Sequence, residues 1–239
     1  MNRILFERSE IVDGVATFGG ARAEHVLGVL HGEVGQTLKT GEVNGGIGTG
    51  EIVEIVRGAS SAEARISVKV CHDQMSLRPW VDLILAPPRP RVMKRLLPQL
   101  AAMGVGRIVL VGAKKVEKDF WGATLLKEEN YRPLLVDGLM QAGTSVVPRM
   151  ETRRNFRRFV GDELDSLFPT ANRVVGHPGG APNAPAQRPG RLLLAVGPEG
   201  GWTDDEVSLL ESQGFSRYSL GSRILRTDTA LVALLARLW

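Results

Sequence analysis

The sequence is poor in cysteine, and it lacks long apolar runs and regularly spaced histidines. Its one cysteine, Cys71, cannot form an internal disulfide framework or a cysteine-cluster metal site. No run reaches the roughly 18 apolar residues of a transmembrane helix, so we expect no membrane partner. The start, MNRILFERSE, lacks an apolar signal-peptide core, which favours a cytoplasmic location. The 4 histidines are scattered without ligand spacing, so we expect no bound metal.

Apolar residues are sufficient for a sizeable core, and positive charge is concentrated in one part of the chain. The 239 residues are 43% hydrophobic, which allows one large domain or two modest ones. Residues 1–78 contain 8 Lys/Arg against 10 Asp/Glu, whereas residues 79–239 contain 22 against 16. This asymmetry indicates either an anionic partner of the second part or ordinary solvated faces.

The first part of the chain, residues 1–75, has the pattern of a small β-barrel-like domain. Apolar and polar residues alternate over short runs bounded by glycines, which is typical of half-buried strands. The three clearest runs are 36–43, 50–58 and 63–70. A short helix is predicted at 23–30, and the alternation stops at a linker near 73–80.

Residues 76–239 alternate strands and helices, which predicts an α/β domain with a mostly parallel sheet covered on both faces. Strands are predicted at 80–86, 107–111, 172–176, 191–196 and 216–220. Helices are predicted at 91–104, 128–143, 155–168, 204–214 and 226–239. Pro98 should start or kink part of the first helix, and residues 178–190 form a long Pro/Gly loop.

Three unusual loops follow predicted strands at 176–180, 197–201 and 220–227. Ligands of open α/β sheets bind outside the carboxyl ends of the strands, so these loops are candidates for one site.

The sequence GPEGG at 197–201 suggests a phosphate loop, but its surroundings argue against phosphate. Thr203 and Glu206 fit a capping box, which satisfies the helix start that a phosphate would need. Glu199 would repel a phosphate, and neither a Walker lysine nor GxGxxG is present. A cationic, phosphate-free cofactor such as S-adenosylmethionine fits; the alternative is a plain tight turn. Arg226 suits a phosphate or a base edge, or pairs with Asp228 or Glu199.

Three motifs near the carboxyl terminus resemble the RsmE family of the SPOUT methyltransferases. They are VVGHPG (174–179), GPEGGWTDDEV (197–207) and LGSRILRTDTA (220–230). The early segments MNRILF and ARAEHVLGVLHGEVGQTL are similar to the PUA-like RNA-binding module of that family. The resemblance covers nearly the whole chain, most strongly 172–230.

The resemblance implies a PUA-like β-barrel domain at 1–75 and a SPOUT-type α/β domain at 76–239. The latter is expected to form a deep trefoil knot with the cofactor site at about 172–230. The implied reaction is methylation of uridine N3 in small-subunit ribosomal RNA by a homodimer that uses S-adenosylmethionine. Ribosomal RNA or the small ribosomal subunit is the implied partner.

The resemblance also implies the site residues. The cofactor residues are Gly176, His177, Pro178, Val196, Gly197, Pro198, Glu199, Gly200, Gly201, Leu220, Gly221, Ser222, Ile224 and Leu225. Arg226 and Glu199 are expected near the transferred methyl group. Because uracil N3 carries a proton, an arginine that stabilises developing negative charge on the uracil oxygens suits this chemistry.

Basic residues that could contact RNA phosphates cluster in the second part of the chain. They are Arg89, Arg91, Lys94, Arg95, Lys114, Lys115, Arg153, Arg154, Arg157 and Arg158. Aromatic residues make up only 5% of the chain, which does not favour stacking platforms for single strands.

The chain departs from the family at polar positions expected to face the substrate. Gln99 and Ala102 replace the usual lysine and glutamate of the first helix, and Lys114-Lys115 replaces a Glu-Arg pair. The region from Met140 to Thr144 replaces a Glu-Gln-x-x-Arg pattern. The cofactor is therefore better specified than the target nucleotide. The alternatives are methylation of another RNA site or a ribose hydroxyl, and a non-catalytic RNA-binding assembly protein.

Overall fold

The computed structural model describes residues 3–59, 63–169, 171–181 and 190–239. The chain divides into two compact units. The first comprises the residues up to Leu77 together with Val136–Val147, and the second comprises Arg78–Leu135 and Pro148–Trp239. Within the described ranges, no helix is long and apolar enough to cross a membrane.

The first unit contains a six-stranded sheet with the order β1-β4-β5-β6-β3-β2. Its strands are β1 (Ile4–Phe6), β2 (Ile11–Val12), β3 (Val15–Phe18), β4 (Thr37–Glu42), β5 (Ile47–Val56) and β6 (Arg65–Gln74). Helix α1 (Gly20–Gly28) follows β3, and a 3₁₀ turn covers Arg8–Glu10. β1 pairs with β4 in parallel, and the other neighbours are antiparallel. Alternate residues of β5 from Gly48 to Ile52 are buried, as the sequence alternation predicts.

Residues 136–147 are held to the first unit by hydrogen bonds that the sequence pattern did not indicate. The amide of Arg3 donates to the carbonyl oxygen of Met140 at 3.0 Å, and the amide of Asn44 donates to that of Ser145 at 2.8 Å. The hydroxyl of the buried Ser145 donates to the carbonyl oxygen of Gly45 at 2.6 Å. Met140 is buried, so this departure from the family lies at a packing position.

The second unit contains a six-stranded, all-parallel sheet with the order β12-β10-β11-β7-β8-β9. Its strands are β7 (Val81–Leu85), β8 (Val105–Val111), β9 (Arg149–Arg153), β10 (Asn172–Ala181), β11 (Leu192–Val196) and β12 (Ser216–Tyr218). Every residue of β7 is buried, as expected for a central parallel strand. The predicted α/β class with a parallel sheet is confirmed.

The helices of the second unit connect its strands, except the last helix, which follows the last strand. They are α2 (Pro90–Ala102), α3 (Glu128–Ala142, whose end belongs to the first unit), α4 (Phe156–Arg158), α5 (Leu164–Leu167), α6 (Asp204–Ser212) and α7 (Thr227–Leu238). A π-helical stretch, Phe159–Glu163, joins α4 to α5, and 3₁₀ turns cover Lys118–Gly122 and Thr124–Leu126. Phe156, Phe159 and Trp202 lie in one buried apolar cluster with residues of the sheet.

Some sequence predictions differ from the structure. Pro98 lies inside α2 and does not start it; the alternative, a kink at Pro98, stays a prediction. Strand β10 continues to Ala181, with a register shift after Gly176, where the sequence predicted a loop from 178. The rest of that predicted loop, 182–189, lies outside the described residues. β9 was not predicted because its residues, RMETR, are mostly polar and it pairs only with β8.

Candidate functional site

The carboxyl ends of β10, β11 and β12 surround one cavity of about 410 Å³. Three chain segments line it, namely Gly176–Pro178, Val196–Trp202 and the residues from Tyr218 to Leu225 other than Ser222. Thr227, Ala230 and Leu234 of α7 complete the wall. The three loops that the sequence singled out therefore meet, at the edge where parallel sheets bind ligands.

Every predicted cofactor residue lines this cavity except Ser222, and the predicted Arg226 does not line it either. Arg223, from the same loop, does. Sequence reasoning missed Ala230 and Leu234, although their spacing of four residues on a mostly apolar helix was an available signal. No local sequence pattern indicates that these two residues line a cavity with loops far away in sequence.

Glycines allow the backbone to approach its neighbours closely at the cavity. A Cβ on Gly176 would lie 2.6 Å from Cδ1 of Leu234, so a larger residue would push against α7. Gly221 has φ +113°, a conformation that other residues rarely adopt. The loop geometry therefore depends on glycine at both positions.

Ser219 connects the first and third cavity segments. Its buried hydroxyl accepts a hydrogen bond from the amide of Gly221 at 3.1 Å and donates one to the carbonyl oxygen of Pro178 at 3.2 Å. A buried hydroxyl with partners on two loops restricts their relative movement. The cavity wall is thus held by hydrogen bonds as well as by packing.

Glu199 is exposed, and its carboxylate holds the loop before α2. Its Oε1 accepts a hydrogen bond from the backbone amide of Arg89 at 3.0 Å. The side chain of Arg89 lies 3.6 Å from Glu117, and Arg91 is exposed. The carboxylate therefore adds negative charge at the cavity and also positions a neighbouring loop.

Arg226 is the N-cap residue of α7 and is exposed. Neither ion pair considered from the sequence forms, because Asp228 pairs with Arg95 at 3.0 Å and Glu199 bonds to a backbone amide. Among the described residues, Arg226 has no carboxylate partner. Its guanidinium is therefore available to a ligand.

His177 has its imidazole within the cavity wall. Its Nδ1 accepts a hydrogen bond from the amide of Gly179 at 3.1 Å. Burial, and secondarily the positive charge of Arg217, lowers the pKa of His177 below its ordinary value. The neutral form of the ring is favoured, which keeps a positive charge out of the cavity.

The wall offers hydrogen-bonding groups that have no partner in the protein. The amides of Leu220 and Leu225 have no hydrogen-bond partner among the described residues. The indole nitrogen of Trp202 is also unpartnered, but it is fully buried and so does not face the cavity. Apolar side chains, including Leu234, line the same cavity. Such walls suit a largely uncharged ring system with acceptor atoms.

The helix start behind GPEGG satisfies itself, as the sequence predicts. The amide of Thr203 donates to Oε2 of Glu206 at 2.8 Å, and the amide of Glu206 donates to Oγ1 of Thr203 at 3.4 Å. Oε1 of Glu206 accepts from the amide of Lys114 at 2.7 Å. The amino end of α6 is therefore not open to a phosphate.

Five of the predicted RNA-contacting residues have carboxylate partners within 3.7 Å, namely Arg89, Arg95, Arg153, Arg157 and Arg158. Arg153 binds Glu163 at 2.8 Å and Glu151 at 2.9 Å, and Arg95 binds Asp228. A phosphate would have to displace these partners.

The other five predicted cations, namely Arg91, Lys94, Lys114, Lys115 and Arg154, have no carboxylate partner in the part of the chain that the structure describes. Lys114 is exposed, and Nζ of Lys115 donates to the carbonyl oxygen of Gly200 at 2.8 Å. The guanidinium of Arg154 lies 5.6 Å from the ring centroid of Trp121. Within the described residues, no group of three or more His, Cys, Asp or Glu could hold a metal ion.

Comparison with known proteins gives one consistent family. The family model described as RNA methyltransferase domain matches residues 76–239. Ribosomal RNA small subunit methyltransferase E of Treponema pallidum (strain Nichols) is 30% identical, over 98% of this chain and 88% of its own length. The protein of the same name from Synechocystis sp. is 25% identical, over 99% and 76%.

A solved structure has the same fold. It is the Neisseria gonorrhoeae ribosomal RNA small subunit methyltransferase E bound to S-adenosyl methionine, with a TM-score of 0.74. It is 20% identical, and the match covers 99% of this chain and 95% of that one. From the family model and the near full-length relative, the chain belongs to the RNA methyltransferase family.

Proposed function

We propose that this protein methylates N3 of a uridine in small-subunit ribosomal RNA, with S-adenosylmethionine as the methyl donor. One observation carries the proposal: three loops far apart in sequence form a single cavity at the carboxyl edge of the sheet. The names of the full-length relatives, ribosomal RNA small subunit methyltransferase E, supply the substrate class.

The residues present fit S-adenosylmethionine. The unpaired amides of Leu220 and Leu225 and the apolar Leu234 suit an adenine ring. The carboxylate of Glu199 favours a positive charge nearby, and the self-capped α6 gives no phosphate site. When bound, the cofactor supplies an electrophilic methyl group.

The chain's own contribution is orientation and charge stabilisation. Arg226, with no carboxylate partner among the described residues, stabilises the negative charge that develops on the uracil oxygens as N3 loses its proton. Glu199 holds the Arg89 loop at the cavity mouth through its hydrogen bond. Ser219 keeps two loops in register, so that the reacting atoms are aligned. The target base must be unpaired or flipped out to reach the cavity.

Finer features belong to the same proposal. The segments from β10 to α7 form the deep trefoil knot of SPOUT enzymes, and the first unit is a PUA-like RNA-binding module. The protein acts in the cytoplasm as a homodimer, which light scattering over a concentration series tests. The resemblance of the sequence motifs and the convergence of the three loops support these features.

Two measurements test the function. Calorimetry should detect S-adenosylmethionine binding in the micromolar range, and its absence at far higher concentrations contradicts any methyltransferase assignment. Mass spectrometry of nucleosides from a deletion strain should show loss of 3-methyluridine from small-subunit ribosomal RNA. An unchanged 3-methyluridine level with loss of another methylated nucleoside would move the activity to a different RNA site or a ribose hydroxyl. No change in any nucleoside would favour a non-catalytic binding protein.

A further inference from the structure

A second concavity lies at the carboxyl ends of β8 and β9, on the same edge of the sheet as the cofactor cavity. It has a volume of about 580 Å³. Three segments line it, namely Gly112 with Lys114, Arg154–Arg157, and Thr203 with Asp205 and Glu206. We call it the β8–β9 groove.

The ends of β8 and β9 lie unusually close together in the groove. The amide of Gly112 donates to the carbonyl oxygen of Arg153 at 3.2 Å. A Cβ on Gly112 would overlap the carbonyl oxygen of Arg154, so only glycine allows this approach. As a result, Lys114 and Arg154 line the same concavity although forty residues separate them.

These two cations are not neutralised by the protein. Over residues 3–59, 63–169, 171–181 and 190–239, neither Lys114 nor Arg154 has a carboxylate partner. The guanidinium of Arg154 lies over the ring of Trp121, and its Nη2 donates to the carbonyl oxygen of Trp121 at 3.5 Å, which restricts its orientation. A guanidinium has five N–H donors, so this one long bond leaves donors for a ligand. Arg153, one residue earlier, has two carboxylate partners instead.

The carboxylates of the groove do not cancel this charge. Both oxygens of Glu206 accept hydrogen bonds from backbone amides, those of Lys114 and Thr203, and neither oxygen pairs with the Lys114 ammonium or the Arg154 guanidinium among the described residues. Asp205 lies 3.6 Å from Arg157, and both side chains are more than two-thirds exposed, at 77% and 72%. An exposed pair of this length is weak and readily exchanges partners.

The groove adjoins the cofactor cavity. Gly197–Trp202 lines the cavity, and the next residue, Thr203, lines the groove. Lys115 follows Lys114 of the groove, and its Nζ donates to the carbonyl oxygen of Gly200, which lines the cavity. A nucleic acid strand with one base in the cavity would have its neighbouring phosphates within reach of the groove.

We propose that the β8–β9 groove binds the phosphate groups of the RNA strand that flanks the target nucleotide, through Lys114 and Arg154. This rests on the proposed function for the identity of the strand. Guanidinium and ammonium groups suit phosphate oxygens, and such contacts set the position of a strand without reading its bases.

The test is the salt dependence of RNA binding by the full chain. Binding of uridine and adenosine oligonucleotides and of small-subunit ribosomal RNA is measured for the wild type and for K114Q/R154Q. Each lost phosphate contact should reduce the slope of log affinity against log salt by about 0.7 for a single strand. For the double variant this slope should be smaller by about 1.4, equally for both oligonucleotides, while the affinity for S-adenosylmethionine stays unchanged.

Two further variants sharpen the test. Lys127→Gln removes an exposed cation outside the groove and should leave the slope unchanged. Asp205→Asn frees Arg157 and should tighten RNA binding and steepen the slope. The groove proposal is overturned if K114Q/R154Q is folded, still binds S-adenosylmethionine and keeps the wild-type salt slope. It is also overturned if the variant loses affinity only for the uridine oligonucleotide. A wild type that binds RNA through the groove but methylates nothing leaves the groove standing and refutes the proposed function.

Discussion

Arg226 and Arg223 flank Ile224-Leu225 in the third loop, and the structure gives them different surroundings. Arg223 lines the cavity, whereas Arg226 caps α7 outside the lining. A group that stabilises charge only in the transition state affects turnover more than cofactor affinity. The location of Arg226 at the edge of the cavity is compatible with that role.

We expect Arg226→Ala to lower kcat by about 10²–10³-fold, because one charge-stabilising donor is lost. S-Adenosylmethionine affinity should change little, since Arg226 does not line the cavity. Methyl transfer from labelled cofactor and calorimetry measure the two quantities. Arg237→Ala, an exposed arginine at the other end of α7, is the control and should retain wild-type turnover. Equal losses in affinity and turnover for Arg226→Ala would instead place its side chain in cofactor binding.

His177 predicts a pH dependence of cofactor binding. Burial lowers its pKa, so it is neutral near pH 7, and protonation would place a positive charge beside a cationic ligand. Affinity should stay constant above the ordinary histidine pKa and fall as the pH drops through the lowered value. Calorimetry between about pH 5 and pH 8 measures this. His177→Gln should give a flatter profile, and a wild-type profile as flat as that of the variant would remove the role of the ring.

At the scale of elements, the start of α6 connects stability to the site. Glu206 receives hydrogen bonds from its own N-cap, Thr203, and from Lys114, three residues after the end of β8, so one carboxylate fixes both segments. Because Glu206 is buried, its carboxylate depends on these donors in place of water.

We expect Thr203→Ala to lower the free energy of unfolding by about 1 kcal/mol, through loss of the N-cap. Glu206→Gln should cost more, about 2 kcal/mol, because the buried side-chain amide has only one acceptor oxygen and turns its NH2 group toward a backbone N–H. Urea denaturation measures both. Thr203→Ser keeps the capping oxygen and should be near neutral; a cost equal to that of Thr203→Ala would show that the methyl group, not the cap, matters.

At the scale of the whole molecule, the first unit is discontinuous in sequence. The amide of Ser145 donates to the hydroxyl of Ser76, and the amide of Val147 donates to Oδ1 of Asn44, each within that unit. A boundary drawn near residue 75 from the sequence alone leaves 136–147 without these partners.

A truncated chain that starts at residue 78 should therefore lose protection at the amides of Ser145 and Val147. Hydrogen exchange followed by mass spectrometry compares the truncated and full chains. We expect exchange to be faster across 143–147, while the buried strand β7 keeps its protection. Equal protection of 143–147 in both chains would mean that these residues hold their structure without the first unit.

Local patterns in the sequence predicted much of the second unit. The alternation of strand and helix depends on side-chain periodicity, and the capping box of Thr203 and Glu206 depends on residues three apart. β9 escaped prediction because an edge strand with polar residues has no hydrophobic pattern. Pro98 does not start a new helix, because α2 tolerates the loss of one hydrogen bond while residues such as Leu96, Leu97 and Leu100 are buried.

For the candidate site, too, some features follow from local sequence patterns and others only from the tertiary structure. The sequence by itself determined the glycine-containing loops, the α/β class and, through the motifs, the family. Only the tertiary structure decided which loops meet and that Ser219 joins two of them. It also decided that Arg153 has carboxylate partners whereas Lys114 and Arg154 have none among the described residues. The reason is physical: periodicity and turn chemistry depend on residues a few positions apart. Ion pairs and cavities depend instead on strand order and register, which bring together residues that no local pattern relates.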